Sequence, residues 1–534
     1  MLHVHRADRA DVLVTALGAL LAQPPPDPFA PELVAVPTRG MERWLTQRLS
    51  GVLGATADRT DGVCANVEFP SPGELVTGAI AAASGIDPQA DPWISERMVW
   101  PLLEVVDACL HEPWLAVLAA HLDPGEDGNA ARGSRRFGLV RHLAGLFDRY
   151  ALHRPELLRA WAAGSADGSP WQAELWRRLR TRIACPSIAE RLTEATTALC
   201  DDPALVDLPD RLALFGLTRL PAGHLAVLRA IAVRRDVHLF ALHPSAVLWE
   251  RVGAVMASGA PIVRRSEDVT ATLPANRLLA SWGKDARELQ LVLGDGTAAD
   301  HPHPCERPSG SLLARIQADV QADAPAGKAG ARVALDRDDV SLQVHACHGR
   351  ARQVEVLRDA LLHLLAHDET LEPRDIVVMC PDIETFAPLI HATFGAGQVV
   401  DEEDEEELPA ALRSPDLRVR LADRSLRQTN PVLGVVAGLL ELAGRRVTAS
   451  QVLDLADREP VRRRFGFDDD DLARIQDWVA RSGIRWGLDA AHREPYKLDV
   501  LAAGTWKAGL ARVLLGVAMT EDGHRLYGDT LPLD

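Results

Sequence analysis

The sequence predicts an α/β protein whose strand–helix units are interrupted by long helical insertions, and three observations carry that prediction. Glu32–Leu49 (ELVAVPTRGMERWLTQRL) reads as a buried strand, a turn and an amphipathic helix. Apolar runs of strand length alternate with helical periodicity in 1–85 and 206–338, and again in 339–429. Residues 86–205 and 430–534 carry helical periodicity alone.

In chain order, Leu2–His5 is a short strand and Arg9–Gln23 a helix with Val12, Leu13, Ala16, Leu17, Leu20 and Leu21 on one face. A proline-rich loop stops it. The strand Leu33–Val36 and its helix follow, then a third strand near Ala65–Phe69 and a Pro-Ser-Pro turn, as in a doubly wound sheet. Arg211–Leu217 and Asp236–Leu242 read as further strands around a helix at Ala222–Val233. Gln317–Asp338 is rich in Ala, Asp and Gly and reads as a linker. A second α/β unit is expected after it: strands at Ser341–Ala346 and Asp375–Cys380, helices at Arg352–His367 and Ile383–Phe394. The run DEEDEEE at 401–407 reads as a solvated loop, because like charges at that density repel. The ending LPLD reads as an interrupted chain.

At 534 residues the chain exceeds one core, so several domains are expected. The N-terminus lacks a signal pattern and no apolar run reaches spanning length, so the cytoplasm is the expected compartment, with no membrane partner. Seven scattered cysteines without a CxxC pair read as reduced core thiols. A net charge of −17 argues against coating nucleic acid through bulk charge, although a local basic channel is compatible with it.

The strand-to-helix turn Pro37-Thr38-Arg39-Gly40 stands where a nucleoside-triphosphatase carries GxxxxGK[ST], yet it has one glycine and no lysine. The strand RLALFGL ends in Gly216, Leu217 and Thr218, without the carboxylate that would serve magnesium. Gly327-Lys328 lies in an Ala/Gly stretch with no preceding strand. His301, His303 and Cys305 read as a loop rather than a metal site, lacking a fourth ligand. A hydrolase site at His345, Cys347 and His348 would need a nucleophile and an orienting group, neither of which is evident, so a buried or loop role is expected there. No catalytic or metal-ligating set is expected. Arginines cluster at 132, 135 and 136, at 177, 178, 180 and 182, at 418, 420, 424 and 427, and at 462–464. Each cluster alone reads as a solvated face; several along one channel would track a phosphate backbone. Trp44, Trp100, Trp114 and Trp161 are expected in the core.

Two α/β units, each with a helical insertion, is the plan of superfamily 1 helicases. Within that plan, DPFAPELVAVPTRGMERWL, NVEFPSPGEL, LFDRYALHRPELL, NRLLASWGKDARELQ, VHACHGRARQVEVLRDALLHLL and LADRSLRQTNPVLGVVAGLLEL are long and collinear. The chain resembles, through these, the N-terminal part of the RecC family, the gamma subunits of exodeoxyribonuclease V. The resemblance implies P-loop NTPase-type helicase domains without an ATP site and no enzyme activity of its own. It implies RecB-like and RecD-like partners that hold the ATP and magnesium. It implies a subunit that holds duplex DNA ends and channels the 3′ single strand. Some members read a recombination hotspot, Chi, in that strand. Leu146, Asp148 and Arg154 match the pattern of those members. Where they carry Gln-x-Thr-x-x-x-Gln, this chain has Pro37, Arg39 and Arg43. Ser71, Thr77 and Gly145 replace an apolar residue, a tryptophan and an acid. Strand binding with altered hotspot reading is therefore expected. Two other readings remain: an acidic docking scaffold for the RecB-like motor, and a divergent active helicase.

Overall fold

The computed structural model describes residues 1–533 except 26, 28, 56–61, 123–129, 167, 258–264, 295–297, 306–308, 326, 328–335, 395–416, 418, 420, 422–429 and 521–524, and no side chains at 130–135. Two compact units result. The first comprises 1–91, 149–159 and 186–423; the second comprises 92–148, 160–185 and 424–534.

The first unit is built on one sheet. Its strands are β1 (Leu2–Ala7), β2 (Glu32–Ala35), β3 (Val67–Glu68), β4 (Arg211–Phe215), β5 (Asp236–Leu242) and β6 (Ala299–Pro302), all parallel, in the order β3-β2-β4-β5-β1-β6. A parallel sheet is covered on both faces, so its central strands are apolar almost throughout, as RLALF and DVHLFAL are. Helices α1 (Ala10–Leu21) and α2 (Arg39–Ser50) cover one face, with Leu13, Leu17, Leu45 and Leu49 packed on Val34, Ala213, Phe215 and Phe240. The other face, through Ala35, Leu212, Leu214, Val237 and Leu239, meets α3 (Pro72–Ala83), α9 (Ile188–Asp201), α10 (Ala222–Ala232) and α13 (Lys284–Leu293). Between α3 and α9 run α4 (Ser95–Cys109), α5 (Ala116–Leu122), α6 (Ala130–His153), α7 (Pro155–Ala162) and α8 (Pro170–Ile183). Helices α11 (Ala246–Ala257) and α12 (Arg277–Trp282) precede α13. A buried ion pair, Arg191 to Asp91 at 2.6 Å, ties α9 to the turn beyond α3.

Helix α14 (Leu312–Gln321) occupies the start of the expected linker, and Lys328 lies outside the described residues. Helices α15 (Arg350–His367) and α16 (Ile383–Phe394) form where expected, joined by Val354, Ile390 and Phe394. The two strands expected beside them do not form: Ser341–Ala346 and Asp375–Cys380 contain no strand. Neither stretch has a strand pairing among the described residues, and without a ladder an extended apolar run is not a strand. The acidic run 401–407 lies outside the described residues.

The second unit is helical among the described residues. In its core Trp93 stacks on Trp176 at 6.0 Å and Trp161 meets Trp176 tilted at 6.5 Å, and the Trp93 indole donates to the Cys185 carbonyl at 3.1 Å. Trp161 is core as expected, but Trp100 is 59% exposed, because it faces outward on α4 beside Phe137. Trp44 is half-buried against the first unit's sheet and Trp114 half-buried beside Glu112. Near the C-terminal end of this unit, buried Arg493 donates to the carbonyls of Trp486, Leu501 and Ala503 and lies over the Trp486 ring. No disulfide joins any of the seven cysteines, and only Cys109 is buried. No helix among the described residues is long and apolar enough to cross a membrane.

Candidate nucleic-acid interface at the carboxyl edge of the sheet

Adjacent strands β2 and β4 send their following helices to opposite faces: α2 packs on one side and α10 on the other. Such a reversal opens a crevice beyond the carboxyl ends of the strands, where α/β sheets bind ligands. The turn Pro37–Arg39 forms one side of it. Thr38 caps α2, its hydroxyl accepting from the Met41 amide at 3.2 Å. Pro37 and Arg39 are exposed. Arg39 has no ion-pair partner among the described residues. Arg43, one turn on, is exposed and donates to the Leu421 carbonyl at 3.2 Å. Arg48 pairs with Asp375 at 3.4 Å.

Ser71 lies on the next strand's exit. The Val36 amide donates to the Pro70 carbonyl at 2.9 Å, which draws the loop after β3 against the end of β2. Ser71 then caps α3 in a capping box: Glu74 donates its amide to the Ser71 hydroxyl at 3.1 Å, and the Ser71 amide donates to the Glu74 carboxylate at 3.3 Å. Pro37, Arg39, Arg43 and Ser71 thus share one edge. Thr77 bonds its hydroxyl to the Gly73 carbonyl within α3.

Across the crevice, Gly216 follows β4 with φ +73°, a conformation that glycine takes without strain. A Cβ there would meet the Met41 Cε at 2.9 Å. The Met41 thioether thus lies against the bare backbone at the end of β4.

The remaining candidates are distributed. Leu146 is half-buried and Asp148 exposed on α6, in the second unit. Arg154, in the first unit, is exposed at the start of α7, its amide donating to the Tyr150 carbonyl at 2.8 Å. Among the arginine clusters, Arg177 and Arg178 pair with Glu174, Arg182 with Glu104, Arg136 with Asp107, Arg462 with Asp457 and Asp469, and Arg463 with Glu459. These are ion-paired faces. Arg418, Arg420, Arg424 and Arg427 lie outside the described residues.

The HPHPC segment corrects the sequence reading. His301 lies in strand β6, not in a loop, because Ala299–Pro302 pairs in parallel with β1. His3, His5, His238, His301 and His303 consequently form a row of imidazoles across β5, β1 and β6. His3 meets His301 at 3.1 Å, and His5 meets His303 at 3.0 Å and His238 at 3.1 Å. In an N–H···N bond one ring accepts, so it must be neutral. Burial, then the neighbouring His238, push His5 down to about 3. Burial, then His3, push His238 down to about 4. Burial also lowers His3 and His303. The period-two spacing of His3/His5 and His301/His303 was the available signal, since it puts both rings of each pair on one strand face. His345, by contrast, is exposed and bonds Gln343 at 3.2 Å, a loop role.

Comparison with known proteins places this geometry in a family. The family described as RecC, N-terminal domain, matches residues 2–323. The RecBCD enzyme subunit RecC fourth domain matches residues 429–534. The RecBCD enzyme subunit RecC of Mycolicibacterium smegmatis is 48% identical over all of this chain and 47% of its own length. That of Mycobacterium tuberculosis is 47% identical over all of this chain and 48% of its own, and that of Escherichia coli 29% identical over all of this chain and 49% of its own. The chain spans about half the length of these relatives. A sheet-forming segment that matches the RecC N-terminal domain over more than half of the chain shows that this protein belongs to the RecC family.

Proposed function

We propose that the chain acts in DNA repair and recombination as the non-catalytic, DNA-channelling part of a RecBCD-type ATP-dependent helicase–exonuclease. Its domains are then inactivated superfamily 1 helicase folds: 1–85 with 206–338, and the start of a second at 339–429. Helical insertions occupy 86–205 and 430–534. RecB-like and RecD-like subunits are its partners and carry the ATP and magnesium; the compartment is the cytoplasm. The observation that carries this reading is the crevice between β2 and β4. It keeps the position of a nucleotide site but presents Pro37, Arg39 and Arg43 where a phosphate loop would have its lysine. Arg39 offers a guanidinium to a phosphate backbone or a guanine edge. The changed residues at 37, 39, 43 and 71 favour strand channelling with an altered hotspot preference.

The test is binding of a fluorescent single-stranded oligonucleotide to the chain, with and without a RecB-like subunit, across a salt series. Affinity that falls steeply with salt in the complex, and falls again with Arg39→Ala plus Arg43→Ala, supports the reading. A second reading, a docking scaffold without its own DNA path, is favoured by the internal pairing of Arg177, Arg178, Arg182 and Arg463. Intact association with the RecB-like subunit and no strand binding would establish it instead.

A further inference from the structure

Helix α15 ends in the sequence HLLAH, with His363 and His367 four residues apart and both exposed. That spacing puts two side chains on one face, one turn apart. Their ring centroids are 4.0 Å apart at an interplanar angle of 42°. The His367 Nδ1 lies 2.8 Å from the His363 carbonyl oxygen, so Nδ1 keeps its proton and donates it. The lone pair of the neutral ring is thereby fixed on Nε2. A backbone carbonyl that sets the tautomer of a histidine is the usual support for a metal-binding imidazole.

The surroundings favour a cation. Both rings lie in the last turns of α15, where the unpaired carbonyls place partial negative charge. Asp359, one turn earlier, and Glu369, just past the helix, are exposed. Asp368 is engaged elsewhere, accepting from the Thr370 amide at 2.9 Å and its hydroxyl at 2.6 Å. The imidazole row on the sheet differs, because its rings bond one another through His3–His301, His5–His303 and His5–His238.

We infer that His363 and His367 form a surface clamp for one divalent transition-metal ion of the imidazole-preferring class, copper, nickel or zinc. Two nitrogen–metal bonds form as two bound waters leave the ion, His367 keeps its Nδ1 proton, and water fills the remaining positions. Hard ions such as magnesium and calcium, which take oxygen ligands, do not compete for it. Affinity follows the order in which copper exceeds both nickel and zinc.

The test is titration of the full chain with Cu²⁺ by calorimetry and electron paramagnetic resonance, against H363N, H367N, the double variant and H345N as a control. Both histidines are exposed, so the substitutions leave the core intact. Each single variant should bind at this site about tenfold more weakly or worse, because one ring lacks the effective concentration that the second supplies. The double variant should lose one equivalent of copper and its two-nitrogen signature, and H345N should lose neither. Unchanged stoichiometry and spectrum in the double variant would overturn the proposal.

Discussion

Val34 in β2 and Val344 in the 341–346 stretch sit in segments that both read as strands, ELVA and SLQVHA, yet Val34 is fully buried and Val344 is 92% exposed. Met379, in the second such run, is 90% exposed. Strand β2 lies between β3 and β4, so its amides and carbonyls are paired on both sides and its side chains are covered above and below. The 341–346 stretch has only its first turn held: Asp339 accepts the Leu312 amide at 2.5 Å, and the Ser341 hydroxyl accepts the Leu313 amide at 3.1 Å. An apolar run therefore becomes a strand only when a neighbour supplies the ladder and a helix supplies the cover.

That contrast can be broken or sharpened by experiment. The largest effect is expected in the sheet unit at its buried ion pair. Asp91→Ala leaves the Arg191 guanidinium buried without its partner and should cost about 3–5 kcal/mol in urea unfolding. Next, Leu214→Ala in central β4 should cost about 2–5 kcal/mol, whereas Val344→Ala should stay within about 0.5 kcal/mol. Equal losses at the two positions would mean that 341–346 is packed after all.

A third prediction concerns acid. His5 and His238 titrate in the fold at about 3 and about 4, below the 6.5 of a free imidazole, so the fold favours their neutral forms. The stability they contribute is whole above pH 6.5 and is lost as the pH falls towards 4 and below. H5N should flatten the profile between pH 6.5 and 4. A profile that H5N leaves unchanged would mean that the row is not the acid-sensitive element. A smaller loss is expected at the crevice itself: Ser71→Ala removes the cap of α3 and should cost about 1 kcal/mol by thermal unfolding.

Much of the sheet was legible in the chain. RLALF and DVHLFAL announce strands covered on both faces, and the caps Thr38 and Ser71 announce the helices that follow. The join of strand, turn and helix at Pro37-Thr38-Arg39-Gly40 was legible, whereas the crevice was not, because it needs the helix after β4 to lie on the opposite face. Strand β6 was not legible. ADHP has little β-propensity and a proline, which an edge strand tolerates, so only its partner β1 makes it a strand. Arg43 looked free along the chain, and its bond to the Leu421 carbonyl joins residues 378 positions apart.

By itself, then, the sequence determined the α/β class, the helix-only stretches, the membership in the RecC family and the turn without its lysine. These depend on residues near one another in the chain, where periodicity, capping and phosphate-loop spacing act. Tertiary structure alone decided which apolar runs became strands, that Arg43 meets the Leu421 carbonyl, and that five histidines from three segments meet in one row. Each of those depends on groups brought together across hundreds of residues, and no local pattern states which partner a chain will find.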